Sequence, residues 1–212
     1  MSSPHRRAGT KGVPRERRKQ DILGAATEEF GRRGYEAASL AAIAQQVGVT
    51  KTLLHQYFGT KQDLYIACLT PIGERLLSAI RTAMTGSRST ADVPLAVLHA
   101  VFTALEGSRE AWLVLYDNRL PPDSEAARLA KEYRVGIDDL AAAGSADILR
   151  AARLTDPLDA DALKYAWRGL VTALVNWWIR HPEQSPQAMA ERCARLFTSA
   201  GMAFGTAHAP ES

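Results

Sequence analysis

The feature that most constrains the fold is a pair of helix-start residues with a glycine between them. Ser39 precedes an apolar helical pattern that must end at Gly48, and Thr50 then opens a second pattern from Lys51 to about Phe58. Serine and threonine cap helix N-termini through their hydroxyl oxygens, and glycine ends helices because it accepts a left-handed backbone. Two helices of about two turns each, joined this closely, form a helix-turn-helix.

A longer helix precedes this pair and another follows it. Apolar residues recur at helical spacing from Ile22 to Phe30 inside a helix expected at about 15–33, and Gly34 is a natural C-cap for it. The following helix is expected at about 61–85. It contains Pro71, which should kink or restart it because proline lacks the backbone N–H of a helical hydrogen bond.

Every later periodic segment is also helical. No stretch shows strand alternation of useful length, and no repeat of roughly 20 to 50 residues is present. The sequence therefore predicts an all-α fold of about nine helices, with a three-helix N-terminal helix-turn-helix domain and a C-terminal helical domain. After a surface loop at 86–92, the later helices are expected at about 93–106, 108–118, 124–154, 160–180 and 186–204.

Positive charge is concentrated in the first third of the chain. Residues 1–65 hold 11 Lys or Arg and 6 Asp or Glu, a net of +5, whereas residues 66–212 hold 15 and 17, a net of −2. The first 19 residues alone carry seven basic side chains and one acidic one. Such a localised positive field attracts a polyanion. The basic arm alone is equally consistent with a solvated tail, so the helix-turn-helix that follows decides the interpretation.

Several protein classes are disfavoured by what the sequence lacks. It has no apolar stretch of about 18 residues, and its basic N-terminus precedes no apolar signal core, so neither a membrane span nor secretory export is expected. Cys68 and Cys193 lie in apolar helical patterns without ligand spacing, which favours buried, reduced thiols in a cytosolic protein and no metal site. No catalytic or cofactor motif is present, so we expect neither an enzyme nor a cofactor.

An ungapped pattern runs from Ile22 to Leu64. Its anchors are Ala26, Phe30, the Gly34-Tyr35 pair, Ser39, the Ile43-Ala44 pair, Val47-Gly48-Val49, Leu54, the Tyr57-Phe58 pair, Lys61 and Leu64. This pattern resembles the DNA-binding domain of the tetracycline-repressor (TetR) family of bacterial regulators. The sequence departs from the family motif at His55, where tyrosine is usual, and at Ala41 and Ala42, where basic or polar residues are common. The operator sequence therefore cannot be inferred from it.

The second helix of the pair has the composition of a recognition helix, which presents polar side chains outward and anchors its inner face. Leu54 and Phe58 supply the anchor. Gln56 can pair with adenine and His55 can donate to guanine, although base and phosphate contacts remain open for each polar residue. Ser39 is equally consistent with a phosphate contact or with a cap that does not touch DNA. The predicted DNA-binding residues are Arg18, Ser39, Thr50, Lys51, Thr52, His55, Gln56, Tyr57 and Lys61.

The resemblance implies a second domain that binds a small-molecule effector. Its helices carry many aromatic residues, which indicate either plain core packing or an apolar pocket with a few polar groups. The candidate ligand-binding residues are Phe102, Trp112, Tyr116, Asn118, Trp167, Val171 and Asn176. A large, mostly apolar or aromatic effector would suit such a pocket.

The last two helices are the predicted dimer surface, because the resemblance implies a four-helix interface between two copies there. Its apolar residues are Leu170, Leu174, Trp177, Met189, Cys193, Leu196, Phe197 and Ala200, and Ala173, Ala200 and Gly201 would allow close approach. The predicted domains are a disordered basic arm at 1–14, the helix-turn-helix domain at 15–62, the effector-binding and dimerisation domain at 63–206, and a disordered tail at 207–212.

The leading hypothesis is a cytoplasmic, nucleoid-associated homodimeric repressor that a small effector releases from a palindromic operator in double-stranded DNA. One alternative is a DNA-bound architectural or protein-interaction module without a small ligand. Another is a helical enzyme or lipid-binding protein in which the helix-turn-helix is incidental. Salt-dependent binding to genomic DNA fragments would separate these classes.

Overall fold

The computed structural model describes residues 14–205, and within that range no strand is formed. The predictions on the arm at 1–13 and on the tail lie outside the described residues. The described chain forms α1 Arg15–Ala37, α2 Leu40–Gln46, α3 Lys51–Phe58, α4 Lys61–Gly86, α5 Val93–Ala104, α6 Ala111–Leu115, α7 Glu125–Ala151, α8 Pro157–Ile179 and α9 Pro186–Gly205. The all-α prediction is confirmed.

Some of the predicted helix ends are confirmed and others are wrong. Gly34 has φ +77° and ψ 169°, which interrupts α1 at the expected residue. The predicted start of α8 at 160 is wrong, because the Asp156 carboxylate accepts a hydrogen bond from Leu158 N at 2.9 Å and caps the helix earlier. The helix expected at 108–118 is also shorter, since only Ala111–Leu115 is α-helical. The predicted loop at 86–92 contains a 3-10 turn.

The described chain divides into two compact units. The first contains residues 14–71 and 110–131, and the second contains 72–109 and 132–205. One boundary falls inside α4 directly after Pro71, whose ring removes a helical hydrogen bond. The helix α6 therefore belongs to the same unit as α1, α2 and α3. The functional division proposed after residue 62 stays a prediction.

In the first unit, α1 packs directly on α6. A Cβ atom at Gly31 would lie 2.8 Å from both Cβ and the carbonyl oxygen of Glu110, so only glycine permits this approach. The ring of Tyr65 packs edge-on against Phe30 at 4.9 Å between centroids. The Tyr65 hydroxyl also donates to Val114 O at 2.6 Å. These contacts fix α6 to the helices that carry the helix-turn-helix.

In the second unit, Trp178 is the largest side chain of the core and is fully buried. Its ring meets Phe102 edge-on at 5.3 Å, and its indole N–H donates to Gln184 O at 2.8 Å. The Arg109 guanidinium lies 3.9 Å from the Trp178 ring. It donates to the carbonyl oxygens of Trp178, His181 and Gln184 at 3.1, 3.0 and 2.6 Å. Arg109 thereby connects the end of α8 to the turn that precedes α9.

The helices α4 and α7 approach closely within the second unit because glycine occurs at the contact. A Cβ atom at Gly73 would lie 2.4 Å from the Tyr133 ring, and one at Gly136 would lie 3.1 Å from Leu77 Cδ2. The Tyr133 ring therefore rests on the backbone of α4. Both glycines have ordinary helical backbone, so their role is close packing.

Candidate nucleic-acid interface

The turn between α2 and α3 is built as the sequence predicts. Ser39 Oγ accepts a hydrogen bond from Ala42 N at 3.3 Å, and Thr50 Oγ1 accepts one from Leu53 N at 3.1 Å. Gly48 has φ +70°, a left-handed conformation that glycine adopts without strain. Both caps are confirmed, and the helix-turn-helix is formed.

The α3 helix presents one polar face and one apolar face. Leu54 and Phe58 are buried and anchor the helix. The predicted contact residues Thr50, Lys51, Thr52, His55 and Gln56 are exposed, and Tyr57 is half-buried with the Arg15 guanidinium 5.6 Å from its ring centroid. The structure therefore places the polar set outward, as a helix that enters the major groove requires. Their contacts with DNA stay predictions.

Lys61 contacts its own protein chain as well as solvent. Its Nζ donates to Glu36 O at 3.0 Å and lies 5.1 Å from the Tyr35 ring centroid. Desolvation lowers the pKa of Lys61, and the opposing attraction of Glu36 and Glu29 does not cancel that effect. The ammonium group has three N–H donors, so it can hold Glu36 and a phosphate together. Arg18, also predicted to contact DNA, is half-buried on α1.

Glu29 is a buried carboxylate that the sequence analysis missed. Its Oε1 accepts from Ser39 N at 3.1 Å and pairs with Arg33 Nε at 3.2 Å. It therefore ties the start of α2 to α1. The sequence did contain a signal for this contact. Glu29 falls on the apolar face of α1, and a buried acidic residue almost always has a partner.

The Asp117 carboxylate makes a second set of hydrogen bonds between distant segments, which the sequence analysis did not predict. Its carboxylate accepts hydrogen bonds from Tyr35 N at 2.8 Å and from Arg119 N and Nε, both at 3.0 Å. Burial alone would raise the pKa of Asp117. The donors from Tyr35 and Arg119 outweigh that effect and lower its pKa below the usual 3.8. The segment after α6 is thereby bonded to the end of α1, just before the helix-turn-helix.

The structure brings together only some of the candidate ligand residues. In the first unit, Trp112 is buried and lies 4.4 Å from Tyr116 between ring centroids, while Asn118 is exposed. In the second unit, Phe102 packs on Trp178. The remaining three lie on α8, where Val171 is buried and Trp167 and Asn176 are half-buried. The ligand assignment stays a prediction.

An open groove of about 840 Å³ lies between α4 and α5 on the second unit. Small residues recur about every four positions along both helices, which leaves the groove wide. Its lining includes Ala79, Ala83, Ala96, Ala100 and Ala104, with Arg75, Arg88 and His99 among them. The seven candidate ligand residues do not line it.

Leu196 on α9, which belongs to the predicted apolar set of the dimer surface, is 52% exposed. The other members of that set that are half-buried are Leu170, Leu174, Trp177 and Phe197. Leu158 and Tyr165 on α8, which the set did not include, are 76% and 59% exposed. Met189 and Cys193 are fully buried within the protomer, so their assignment to the interface is wrong. Packing of α9 on α5 accounts for their burial. The side chains of Ala200 and Gly201 lie outside the described set.

Residues 14–205 show neither a membrane-spanning helix nor a cluster of metal ligands. No helix in this range combines the length and hydropathy needed to cross a membrane. No group of three or more His, Cys, Asp or Glu side chains in it is arranged to hold a metal ion. Cys68 and Cys193 are both buried free thiols, and burial raises the pKa of Cys68 to about 12.

The comparisons with known proteins concern mainly the N-terminal part. The TetR_N model, described as bacterial regulatory proteins of the tetR family, matches residues 22–68. The HTH-type transcriptional activator FasR of Mycolicibacterium smegmatis is 31% identical over 119 residues, which cover 56% of this chain and 54% of FasR. The HTH-type transcriptional regulator BetI of Brucella canis is 32% identical over 123 residues, covering 55% of this chain and 60% of BetI. The matches thus span little more than half of these relatives.

Structural similarity extends further along the chain. A TetR-like transcriptional regulator from Rhodococcus sp. RHA1 superposes with a TM-score of 0.62 at 25% identity, covering 84% of this chain and 92% of that one. The all-helical fold and the anchored α3 define a helix-turn-helix protein. The N-terminal domain, over residues 22–68, belongs to the TetR family of bacterial regulatory proteins.

Proposed function

We propose that the protein is a homodimeric transcriptional repressor that binds a palindromic operator and leaves it when a small, largely apolar or aromatic effector binds. The observation that carries the proposal is α3, whose exposed polar face is opposite the buried anchors Leu54 and Phe58. Hydrogen bonds to the Glu29 and Asp117 carboxylates connect α1 to the start of α2 and to the segment after α6. A recognition helix needs such a rigid support because base contacts depend on fixed geometry.

The exposed apolar residues of α8 and α9 support the homodimer. Leu158, Tyr165 and Leu196 are exposed on these two helices, where a second copy of the chain would cover them. Two-fold symmetry would present two copies of α3 to half-sites about 34 Å apart.

Footprinting on a genomic fragment tests the proposal. We expect two symmetric protected half-sites, and sedimentation of the free protein should give a dimer. A single protected site occupied by a monomer would contradict the proposal. A reporter fused to the bound promoter gives the sign of regulation, which needs its own measurement because FasR is named an activator.

Substitution of two predicted contact residues should separate phosphate from base contacts. We expect Lys61→Ala to weaken binding to all DNA sequences and to reduce the slope of log affinity against log salt by about one unit. Gln56→Ala should relax preference at one base position, at a cost of about 1–3 kcal/mol. Fluorescence anisotropy over a salt series measures both, with Lys131→Ala, which removes an exposed lysine from α7, as the control. Identical behaviour of the two variants would refute the assignment of Lys61 to a phosphate contact and of Gln56 to a base contact.

The proposed effector response depends on α6. Trp112 lies on this helix, and its indole N–H is buried without an acceptor among residues 14–205. Buried donors are normally paired, so an acceptor atom on an effector would suit it. Because α6 is bonded to α4 through Tyr65 and Val114, displacement of α6 would move the helix that carries Lys61. The effector must bind the DNA-incompetent state more tightly for this to release DNA.

We expect Trp112→Phe to blunt effector release while operator affinity without effector stays within about threefold of wild type, a difference of less than 1 kcal/mol. Phenylalanine keeps an aromatic ring in the buried position but lacks the N–H. Anisotropy titrations with and without effector measure the change, with Trp177→Phe, outside the candidate ligand set, as the control. Full release at the wild-type effector concentration would remove Trp112 from the proposed site.

A further inference from the structure

His55 combines an exposed ring with a fixed internal hydrogen bond. It lies on the polar face of α3, and its Nδ1 is 2.6 Å from the carbonyl oxygen of Gly59. The backbone N–H of Gly59 donates in turn to His55 O at 2.8 Å. The side chain and backbone of His55 are thus both bonded to the turn that ends α3.

This contact determines the proton position on the ring. A carbonyl oxygen can only accept, so Nδ1 must be the nitrogen that carries hydrogen. A neutral imidazole has one N–H, and the other nitrogen is then an acceptor. Among the described residues, no hydrogen-bond partner of Nε2 is found. When the ring is neutral, the atom that His55 offers to a ligand is therefore an acceptor, whereas a protonated ring would offer a donor there.

The turn that holds the Gly59 carbonyl is itself well fixed. Gly59 has φ +75°, which glycine adopts readily. Next to it, Thr60 N and Oγ1 donate to Asp63 Oδ2 at 2.9 and 2.7 Å, and Asp63 N donates to Thr60 Oγ1 at 3.1 Å. The backbone and side-chain donors of Thr60 lower the pKa of Asp63, so this reciprocal cap persists at neutral pH. The tautomer of His55 is set by a rigid partner.

An acceptor nitrogen restricts what His55 can bind on DNA. Phosphate oxygens only accept, so they offer nothing to a neutral Nε2. The hydrogen-bond donors in the major groove are the exocyclic amino groups of adenine and cytosine. We infer that neutral His55 is a specificity-determining residue that accepts a hydrogen bond from a base amino group. This inference rests on the proposed function, and it replaces the sequence-based expectation that His55 donates to guanine.

A binding selection from a randomised duplex library, run at pH 8 where histidine is ordinarily neutral, tests the inference. Wild type should prefer adenine or cytosine over guanine and thymine at one half-site position, by roughly tenfold. His55→Ala should lose preference at that position and at no other. His55→Lys, which can only donate, should shift the same position to guanine. His99→Ala is the matched control, because it removes an exposed histidine from α5, and it should keep the preference at every position.

Deletion of the amino group then tests the contact at atomic level. The selected adenine is replaced by purine, or the selected cytosine by pyrimidin-2-one, since neither analogue carries the exocyclic amine. Wild type should lose affinity roughly tenfold, whereas His55→Ala should lose none, because the contact is already absent.

Two results would overturn the inference while leaving the proposed function intact. One is a guanine or thymine preference that disappears in His55→Ala, which would make His55 a donor. The other is a uniform loss of affinity in His55→Ala without any change in base preference, which would make it a backbone contact. If wild type selects no sequence at all, the proposed function fails and the inference fails with it. Circular dichroism melts of both variants confirm that they fold.

Discussion

Trp178→Ala is expected to lower the free energy of unfolding by about 3–5 kcal/mol. The Trp178 side chain is fully buried, so its removal leaves a large cavity in the second unit. The substitution also leaves Gln184 O without the indole donor and removes the aromatic face beside Arg109. Each of these losses adds to the cost of the cavity. Guanidinium denaturation followed by circular dichroism measures the change.

Trp177→Ala is the matched control, since it removes the same side chain from the neighbouring position of α8. Trp177 is half-buried, and it stacks on His181 at 3.7 Å between ring centroids. We expect it to cost clearly less than Trp178→Ala, because little cavity forms at a half-exposed site. Equal losses for the two variants would show that burial does not decide the effect.

Arg109→Met tests how much the hydrogen bonds of the Arg109 guanidinium contribute to the free energy of unfolding, separately from the Trp178 side chain. Methionine keeps an unbranched chain but has no donors for the three carbonyls of Trp178, His181 and Gln184. A destabilisation of about 1–3 kcal/mol is expected from the lost charge-assisted bonds. A loss below about 0.5 kcal/mol would mean that solvent replaces the guanidinium at all three carbonyls.

The helix-turn-helix could be predicted because short-range chemistry decides it. Ser39, Gly48 and Thr50 act on backbone groups within three residues of themselves. Such caps need no knowledge of the rest of the fold. The split between buried Leu54 and the exposed polar residues of α3 likewise follows from helical periodicity.

Contacts between residues far apart in the chain could not be predicted in this way. Asp117 and Tyr35 are 82 residues apart, and no local pattern indicates their bond. Gly73 fits an ordinary helical pattern, so only the position of the Tyr133 ring explains why a side chain is excluded there. Met189 and Cys193 were assigned to the dimer surface because periodicity identifies an apolar face without showing what covers it. In the structure they are buried in the protomer.

The predicted base contacts illustrate the same limit. The sequence predicted His55 as a contact residue, but the role of each ring nitrogen depends on Gly59, whose carbonyl direction requires a left-handed backbone. Lys61 was predicted from its place at the start of a helix. Its bond to Glu36 O comes from α1 and has no local signal.

Asp117→Ala should destabilise the first unit by about 3 kcal/mol. The substitution leaves the backbone N–H groups of Tyr35 and Arg119 without their acceptor in a partly buried setting, where an unpaired donor costs about 1–3 kcal/mol. Hydrogen exchange should show the loss at the Tyr35 amide first, because that amide donates directly to the carboxylate. Unchanged protection at Tyr35 would contradict the assigned role.

The same carboxylate should make stability depend on pH in a definite direction. The folded pKa of Asp117 is lowered, whereas an unfolded aspartate titrates near 3.9. Its contribution is therefore complete above about pH 5 and is lost as pH falls through roughly 4 towards the lower folded value. Asp117→Asn cannot ionise, so its stability should decline less steeply than that of wild type between about pH 5 and 3. Asp63 and Glu183 also have lowered pKa values, but they are present in both proteins and cancel in the difference. Parallel curves for wild type and Asp117→Asn over this interval would show that the Asp117 carboxylate is not the charged acceptor that fixes the end of α1.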